Sequence, residues 1–159
     1  MRVKFIKEED FVNYKKPCMF IGTCFCDFKC CHEAGFPTSL CQNEPWSKEP
    51  IKEFKNELII DKFLKNPFTD AIVIGGMEPF LQFDEVYEFI GELRSKTTAP
   101  VAVYTGYYKS EIEERVEKLS QFENIIIKFG RYKPNQEKHF DPVLGVYLAS
   151  DNQYAEKIS

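Results

Sequence analysis

The stretch Ala71-Ile72-Val73-Ile74-Gly75-Gly76-Met77-Glu78-Pro79 places a short apolar run directly before a glycine pair. A continuous apolar run bounded by glycine is typical of a parallel strand that is buried on both faces. The stretch therefore predicts a strand over residues 71–74 and a turn immediately after it.

A helix and a second strand are predicted on its C-terminal side. Asp84 is a candidate N-cap residue, because a carboxylate can accept hydrogen bonds from the free amides of a first turn. The apolar positions of this helix recur at helical spacing and are Val86, Phe89, Ile90 and Leu93. Pro100 then opens a second apolar run over residues 101–104, which ends at Thr105-Gly106.

The alternation of strands and helices extends over most of the chain. Ser110 and Glu113 have the spacing of a capping box, and a solvated helix face is predicted from Glu111 to Glu117. Further strands are predicted over 18–22, 125–127 and 143–148, and a further helix between residues 50 and 66. Such alternation predicts an α/β fold, with a mostly parallel sheet, right-handed crossovers and flanking helices.

Segments of unusual polarity follow the predicted strands. They are Gly75 to Pro79, Thr105-Gly106, Gly130-Arg131 and Ser150 to Gln153, and the cysteine-rich segment also follows a strand. Ligands of parallel sheets bind beyond the C-terminal ends of the strands. We therefore expect these segments to converge on one edge of the sheet.

Composition limits the class of protein. The 159 residues suffice for one domain, and Lys plus Arg (21) against Asp plus Glu (25) leaves a net charge of −4. This balance argues against a broad nucleic-acid-binding surface. No segment approaches the apolar length of a membrane span, and the N-terminus lacks the apolar stretch of a signal peptide. We expect a cytoplasmic protein without membrane or nucleic-acid partners.

All six cysteines lie in one early segment, at positions 18, 24, 26, 30, 31 and 41. This clustering favours metal binding in a reducing compartment over a disulfide scaffold. Cys26 and Cys30 are separated by three residues, and no second well-spaced pair follows as in most zinc sites. Three usable cysteines on a short loop suit a four-iron cluster with one open iron, and structural zinc is the alternative.

The chain resembles the radical S-adenosylmethionine enzymes, specifically the small activating proteins of anaerobic ribonucleotide reductase. The segment Cys41-Gln42-Asn43-Glu44-Pro45-Trp46 is similar to the end of their cysteine motif, and Gly75 to Pro79 is similar to their glycine-rich acidic motif. Tyr104 to Tyr107, Gly130 to Tyr132 and Ser150 to Gln153 resemble three further family motifs, in the same order. The resemblance spans about residues 18–153 and implies a single domain over 1–159, with a partial (βα) barrel and a cluster loop at about 22–46.

The resemblance also implies ligands and partners. The cluster ligands it indicates are Cys26, Cys30 and Cys41, with Cys31 as the rival for the third position. The residues it places at S-adenosylmethionine are Gly75, Gly76, Glu78, Thr105 and Asn152, and Glu78 is expected to accept from the ammonium group. Lys128 and Arg131 can face the partner or the cofactor carboxylate, although most exposed basic residues do neither.

The implied reaction is reductive cleavage of S-adenosylmethionine at a [4Fe-4S] cluster, fed by an electron donor. The resulting deoxyadenosyl radical abstracts a hydrogen atom from a glycine of a partner, such as the large subunit of anaerobic ribonucleotide reductase. The protein supplies binding, orientation and exclusion of solvent.

The sequence departs from the family pattern at three places. Ten residues separate Cys30 from Cys41, where the family has two. Met77 stands where the family has the second glycine of the pair before its acidic residue, and Phe129 stands where the family has an aspartate before Gly-Arg. Two alternatives therefore stay open. One is a stand-alone radical enzyme that modifies a small molecule or peptide, and the other is a non-enzymatic iron–sulfur or zinc-binding module.

Overall fold

Strands and helices alternate along the computed structural model, which describes residues 1–159. The strands are β1 (Arg2–Val3), β2 (Phe5–Asp10), β3 (Cys18–Gly22), β4 (Lys52–Glu53), β5 (Ala71–Gly75), β6 (Val101–Tyr104), β7 (Ile125–Phe129), β8 (His139–Asp141), β9 (Val146–Leu148) and β10 (Tyr154–Lys157). The α-helices are α1 (Lys29–Ala34), α2 (Glu44–Lys48), α3 (Asn56–Lys65), α4 (Phe83–Arg94) and α5 (Glu113–Leu119). Short 3-10 helices cover Thr38–Leu40, Pro79–Gln82 and Lys109–Glu111.

The main sheet has six strands in the order β10-β7-β6-β5-β3-β2. Strands β3, β5, β6 and β7 are parallel, whereas β2 and β10 pair antiparallel at the two edges. Two small antiparallel sheets, β1-β4 and β8-β9, lie outside it. The protein is thus mixed α/β with a mostly parallel sheet that is open at β2 and β10; the partial barrel stays a prediction.

One row of aliphatic residues shows how the parallel strands are held in register. Ile21 pairs with Ile74, Ile74 with Val103, and Val103 with Ile127. All four side chains are fully buried in the larger core cluster. A register shift of one residue would move the shifted strand's side chain to the opposite face of the sheet. This shift is disfavoured because burying each aliphatic side chain is worth about 1.5–3 kcal/mol.

The three crossover helices pack on the same face of the sheet. Helices α3, α4 and α5 contribute their apolar sides to the core cluster that contains Ile74 and Val103. The opposite face of the sheet, with Phe20 and Val73, is covered instead by Tyr14, Leu144 and Leu148. The sheet is therefore buried on both faces, as its continuous apolar strands require.

Several element predictions need correction. The segment 143–148 is not a strand of the main sheet, because only Val146–Leu148 is extended and it pairs antiparallel with β8. The capping box joins Tyr108 and Glu111 rather than Ser110 and Glu113. Asp84 lies in the first turn of α4, whose N-cap position is Gln82. The antiparallel edge strands β2 and β10 were not predicted at all.

Candidate iron–sulfur and cofactor site

The polar segments that follow the parallel strands meet at one edge of the sheet, as predicted. The amide of Thr105 donates to the carbonyl of Lys128 (2.9 Å), and the amide of Gly130 donates to the carbonyl of Tyr107 (3.0 Å). On the other side, Thr23 donates from its amide and its hydroxyl to the carbonyl of Gly75, at 2.9 and 3.1 Å. The ends of β3, β5, β6 and β7 thus form one continuous rim.

Glu78 lies at the centre of this rim and is buried. Its Oε1 accepts hydrogen bonds from the amide of Phe80 (3.0 Å) and the hydroxyl of Thr105 (2.7 Å), and its Oε2 accepts from the amide of Gly106 (2.8 Å). Burial raises the pKa of Glu78 to about 7, because the three hydrogen bonds only partly offset the loss of hydration. The carboxyl group can therefore exchange a proton or hold a cation near neutral pH.

The glycine pair before Glu78 brings the backbone close to neighbouring strands. Gly76 has a φ of 83°, in the left-handed region that favours glycine. A Cβ atom at Gly75 would lie 3.1 Å from the Cβ of Tyr104, which is tighter than ordinary packing. Local structure therefore favours glycine at both positions, and their contact with a cofactor stays a prediction.

Thr105 and Asn152 occupy different parts of the rim. The Thr105 hydroxyl is engaged with Glu78, as described above. Asn152 lies on the far side, where its amide donates to the carbonyl of Arg131 (2.9 Å) and contacts the hydroxyl of Tyr108 (3.4 Å). Its Oδ1 is buried and has no hydrogen-bond partner, so this atom can accept from a ligand.

The cysteine loop leaves the end of β3 and is fastened at its first residues. The amide of Cys24 donates to Gln82 Oε1 (3.0 Å), and the amide of Glu78 donates to the carbonyl of Phe25 (2.7 Å). These bonds set Cys26, the next residue, beside the Glu78 carboxylate. Phe28, with a φ of 52°, then turns the chain into α1, which carries Cys30 and Cys31.

Burial separates the six free thiols into two groups. Cys26, Cys30 and Cys41, the predicted ligands, are partly exposed, whereas Cys18, Cys24 and Cys31 are buried. Cys18 lies on the opposite face of the sheet, where its thiol faces the carbonyl of Asp10. Cys31 has its Sγ 3.9 Å from Cys30 Sγ and also contacts Cys41.

The partly exposed thiols are electrostatic neighbours. Burial raises the pKa of Cys26 to about 12, with further contributions from the charges of Glu78 and Cys30. Burial also raises the pKa of Cys30, and the charge of Cys41 adds to this. The thiols of Cys26 and Cys30 are therefore protonated at neutral pH without metal, so that metal binding has to displace their protons.

The donor set fits a cluster held by thiolates. No group of three or more His, Cys, Asp or Glu side chains is arranged to hold a single metal ion. A four-iron cluster takes soft thiolate ligands at separate irons, and such partly exposed cysteines on a loop supply them. Cys26, Cys30 and Cys41 would each hold one iron. Cys31 lies beside Cys30 and Cys41 and stays available as an alternative ligand.

Two basic residues of the site differ from the sequence-based interpretation. Lys128 and Arg131 are buried rather than exposed. Lys128 Nζ donates to the carbonyl of Gly130 (2.9 Å), and burial lowers its pKa to about 8, although the charges of Glu78 and Cys30 raise it in part. Strand alternation alone would not reveal this, because Lys128 belongs to the otherwise apolar strand β7.

Comparison with known families gives the class of protein that this site defines. A family model described as "4Fe-4S single cluster domain" matches residues 16–153. The chain therefore belongs to the 4Fe-4S single cluster domain family. The prediction of an iron–sulfur cofactor is confirmed at this level, whereas S-adenosylmethionine stays a prediction.

Other comparisons add no relative. A search of the curated proteins and a search of the solved structures each gave no significant match. None of the helices combines the length and the apolar character that crossing a bilayer requires.

Proposed function

We propose that the protein is a radical S-adenosylmethionine activase that generates a glycyl radical on a partner enzyme. The observation that carries the proposal is the pair of buried ionisable residues, Glu78 and Lys128, at the strand ends beside Cys26 and Cys30. An amino-acid group is a zwitterion, and an acid and a base that are both desolvated suit its two charges.

The chain's own residues would divide the binding of S-adenosylmethionine as follows. Glu78 accepts from the ammonium group, and Lys128, with only one of its three donors engaged by Gly130, donates to the carboxylate. The backbone of Gly75 and Gly76 contacts the methionine moiety in this proposal, and Asn152 offers its unpaired Oδ1. When bound, the reduced [4Fe-4S] cluster supplies the electron for cleavage of the sulfonium carbon–sulfur bond.

The ordered sequence motifs support the partner class. Tyr104 to Tyr107 and Gly130 to Tyr132 border the same rim as Glu78, so the motifs that resemble the activases of anaerobic ribonucleotide reductase are neighbours in space. We propose the large reductase subunit as the partner, with a separate electron donor.

The experiment is anaerobic reconstitution with iron and sulfide, followed by dithionite and S-adenosylmethionine. We expect release of 5′-deoxyadenosine from the wild-type protein and strong loss of release in Glu78→Gln and Lys128→Met. Glu88→Gln, an exposed change on α4, is the matched control. An intact cluster that releases no 5′-deoxyadenosine would leave a non-enzymatic iron–sulfur module as the function.

A second measurement separates the activase from a stand-alone radical enzyme. We expect a glycyl radical signal in electron paramagnetic resonance only when the reductase subunit is added. Release of 5′-deoxyadenosine without such a signal would favour a small-molecule or peptide substrate.

A further inference from the structure

Helix α1, which carries Cys30, is attached to the rest of the protein by side chains alone. Between Cys26 and Trp46, three polar contacts reach the remainder of the chain. The Tyr107 hydroxyl donates a hydrogen bond to Asp27 Oδ2 (2.7 Å), and Lys29 Nζ donates one to Glu111 Oε1 (2.5 Å). Glu33 Oε2 forms an ion pair with Arg131 Nε (3.0 Å) that lacks hydrogen-bond geometry. All three start from α1 or the turn before it.

Together with the Glu111–Arg131 pair, two of these contacts form a chain of four alternating charges. Lys29 and Glu33 are one helical turn apart on α1 and flank Cys30 in sequence. Opposite them, Arg131 binds Glu111 with two parallel hydrogen bonds, from Nη1 to Oε2 (2.7 Å) and from Nη2 to Oε1 (2.6 Å). Lys29 meets Glu111 and Glu33 meets Arg131, so that each charge faces its opposite.

The rim side of this arrangement is rigid. Arg131 is buried, and its guanidinium lies 4.8 Å from the centre of the Tyr108 ring. Glu111 also accepts a hydrogen bond from the amide of Tyr108 (2.8 Å). The Glu111–Arg131 pair is therefore fixed by its own surroundings, and α1 docks onto a preformed double charge.

We propose that Glu111 and Arg131 are positioning residues for the iron–sulfur cluster, acting through Lys29 and Glu33 to fix the orientation of Cys30. This role concerns the cluster-binding segment itself and goes beyond the proposed reaction with S-adenosylmethionine. Outer partners that orient metal ligands change metal affinity by about 10- to 100-fold when they are removed.

The test uses the double variant Lys29→Met/Glu33→Gln, which leaves the buried Glu111–Arg131 pair intact. The matched control is Lys109→Met/Glu156→Gln, which removes an ion pair of similar exposure (2.6 Å) that does not involve the cysteine loop. Both proteins are reconstituted anaerobically, and the rate of iron release to an excess of chelator is measured.

We expect iron release from Lys29→Met/Glu33→Gln to be about tenfold faster than from the wild type, with the control within twofold. We also expect a changed electron paramagnetic resonance spectrum of the reduced cluster, because the direction of the Cys30 thiolate changes. Salt should accelerate release from the wild type and have less effect on the double variant, since the contacts are ionic and partly exposed.

A structural role alone would not produce these changes. Lys29 and Glu33 have side chains that are 41% and 50% exposed, so the metal-free double variant should unfold at the wild-type concentration of urea. The single variant Lys29→Arg, which keeps the charge, should release iron as slowly as the wild type. Release within twofold of wild type, an unchanged spectrum, or equal acceleration in the control would overturn the proposal.

Discussion

The hydroxyl of Thr105 donates a hydrogen bond to Glu78 Oε1 at 2.7 Å and thereby joins the ends of β5 and β6. The same hydroxyl accepts from the amide of Tyr107 (3.0 Å). Thr105 and Glu78 are both buried, so the carboxylate and the hydroxyl depend on each other for hydrogen bonding. A buried acid held in this way is a feature of a binding site rather than of a stable core.

Replacing Thr105 with Val tests this relationship, since Val keeps the shape and removes the hydroxyl. We expect the free energy of unfolding to fall by about 1–3 kcal/mol, because the buried carboxylate of Glu78 and the partly buried amide of Tyr107 each lose a partner. Urea denaturation at about pH 8, where Glu78 is mostly ionised, measures it. Thr98→Val, at an exposed position, should leave the free energy of unfolding nearly unchanged; an equal loss there would contradict the interpretation.

Glu78 should also make stability depend on pH. Its folded-state pKa of about 7 lies above the ordinary 4.5, so the folded protein favours the protonated acid. The free energy of unfolding should therefore decrease as pH rises from about 5 to 7, by up to about 3 kcal/mol. The titratable groups that face Glu78 are Asp27, Cys26, Tyr107 and Lys128.

The variant Glu78→Gln cannot titrate and should show a flatter profile over the same interval. Unfolding by urea at several pH values gives the comparison, with Glu88→Gln as the control for a solvent-exposed carboxylate. Parallel profiles of Glu78→Gln and the wild type would contradict a raised pKa at Glu78.

The cysteine assignment makes a prediction about iron content. Changing Cys26, Cys30 or Cys41 to Ser should reduce reconstituted iron and sulfide to background, because each thiolate holds one iron. Cys31→Ser should keep the cluster, and so should Cys18→Ala on the opposite face of the sheet. Iron and sulfide analysis with visible absorbance measures the outcome. Loss of the cluster in Cys31→Ser with retention in Cys41→Ser would make Cys31 the third ligand.

The parallel strands could be predicted because their apolar runs are local signals. The run Ala71 to Ile74 becomes β5, and 125–127 becomes most of β7. The edge strand β2 carries Lys7, Glu8 and Glu9, whose charges conceal an extended segment that pairs with β3 only in the folded chain. Edge strands of this kind tolerate charge because one side faces water.

The charged part of the site could not be predicted from the sequence for a similar reason. Glu111 was interpreted as the start of a solvated helix face, whereas it binds Arg131, 20 residues away. Nothing in the local sequence around either residue indicates this pairing, because it depends on how the ends of β6 and β7 meet. The glycine-rich motif with Glu78 was recognisable, since its signal lies in consecutive residues.

Lys128 gives the last prediction, because a buried cation with a single hydrogen bond destabilises the fold that contains it. Its folded-state pKa of about 8 lies below the ordinary 10.5, so folding disfavours the charged form, and the wild type should gain stability as pH rises from about 8 to 10. Lys128→Met keeps the apolar stem, removes the charge and gives up the hydrogen bond to Gly130. At pH 7 we expect the variant to be more stable by about 1–3 kcal/mol in urea denaturation while losing release of 5′-deoxyadenosine. Lys118→Met, on the exposed side of α5, should change neither quantity. A stabilised variant that keeps full activity would show that the lysine is not retained for binding, and a destabilised one would show that its charge is already compensated within the fold.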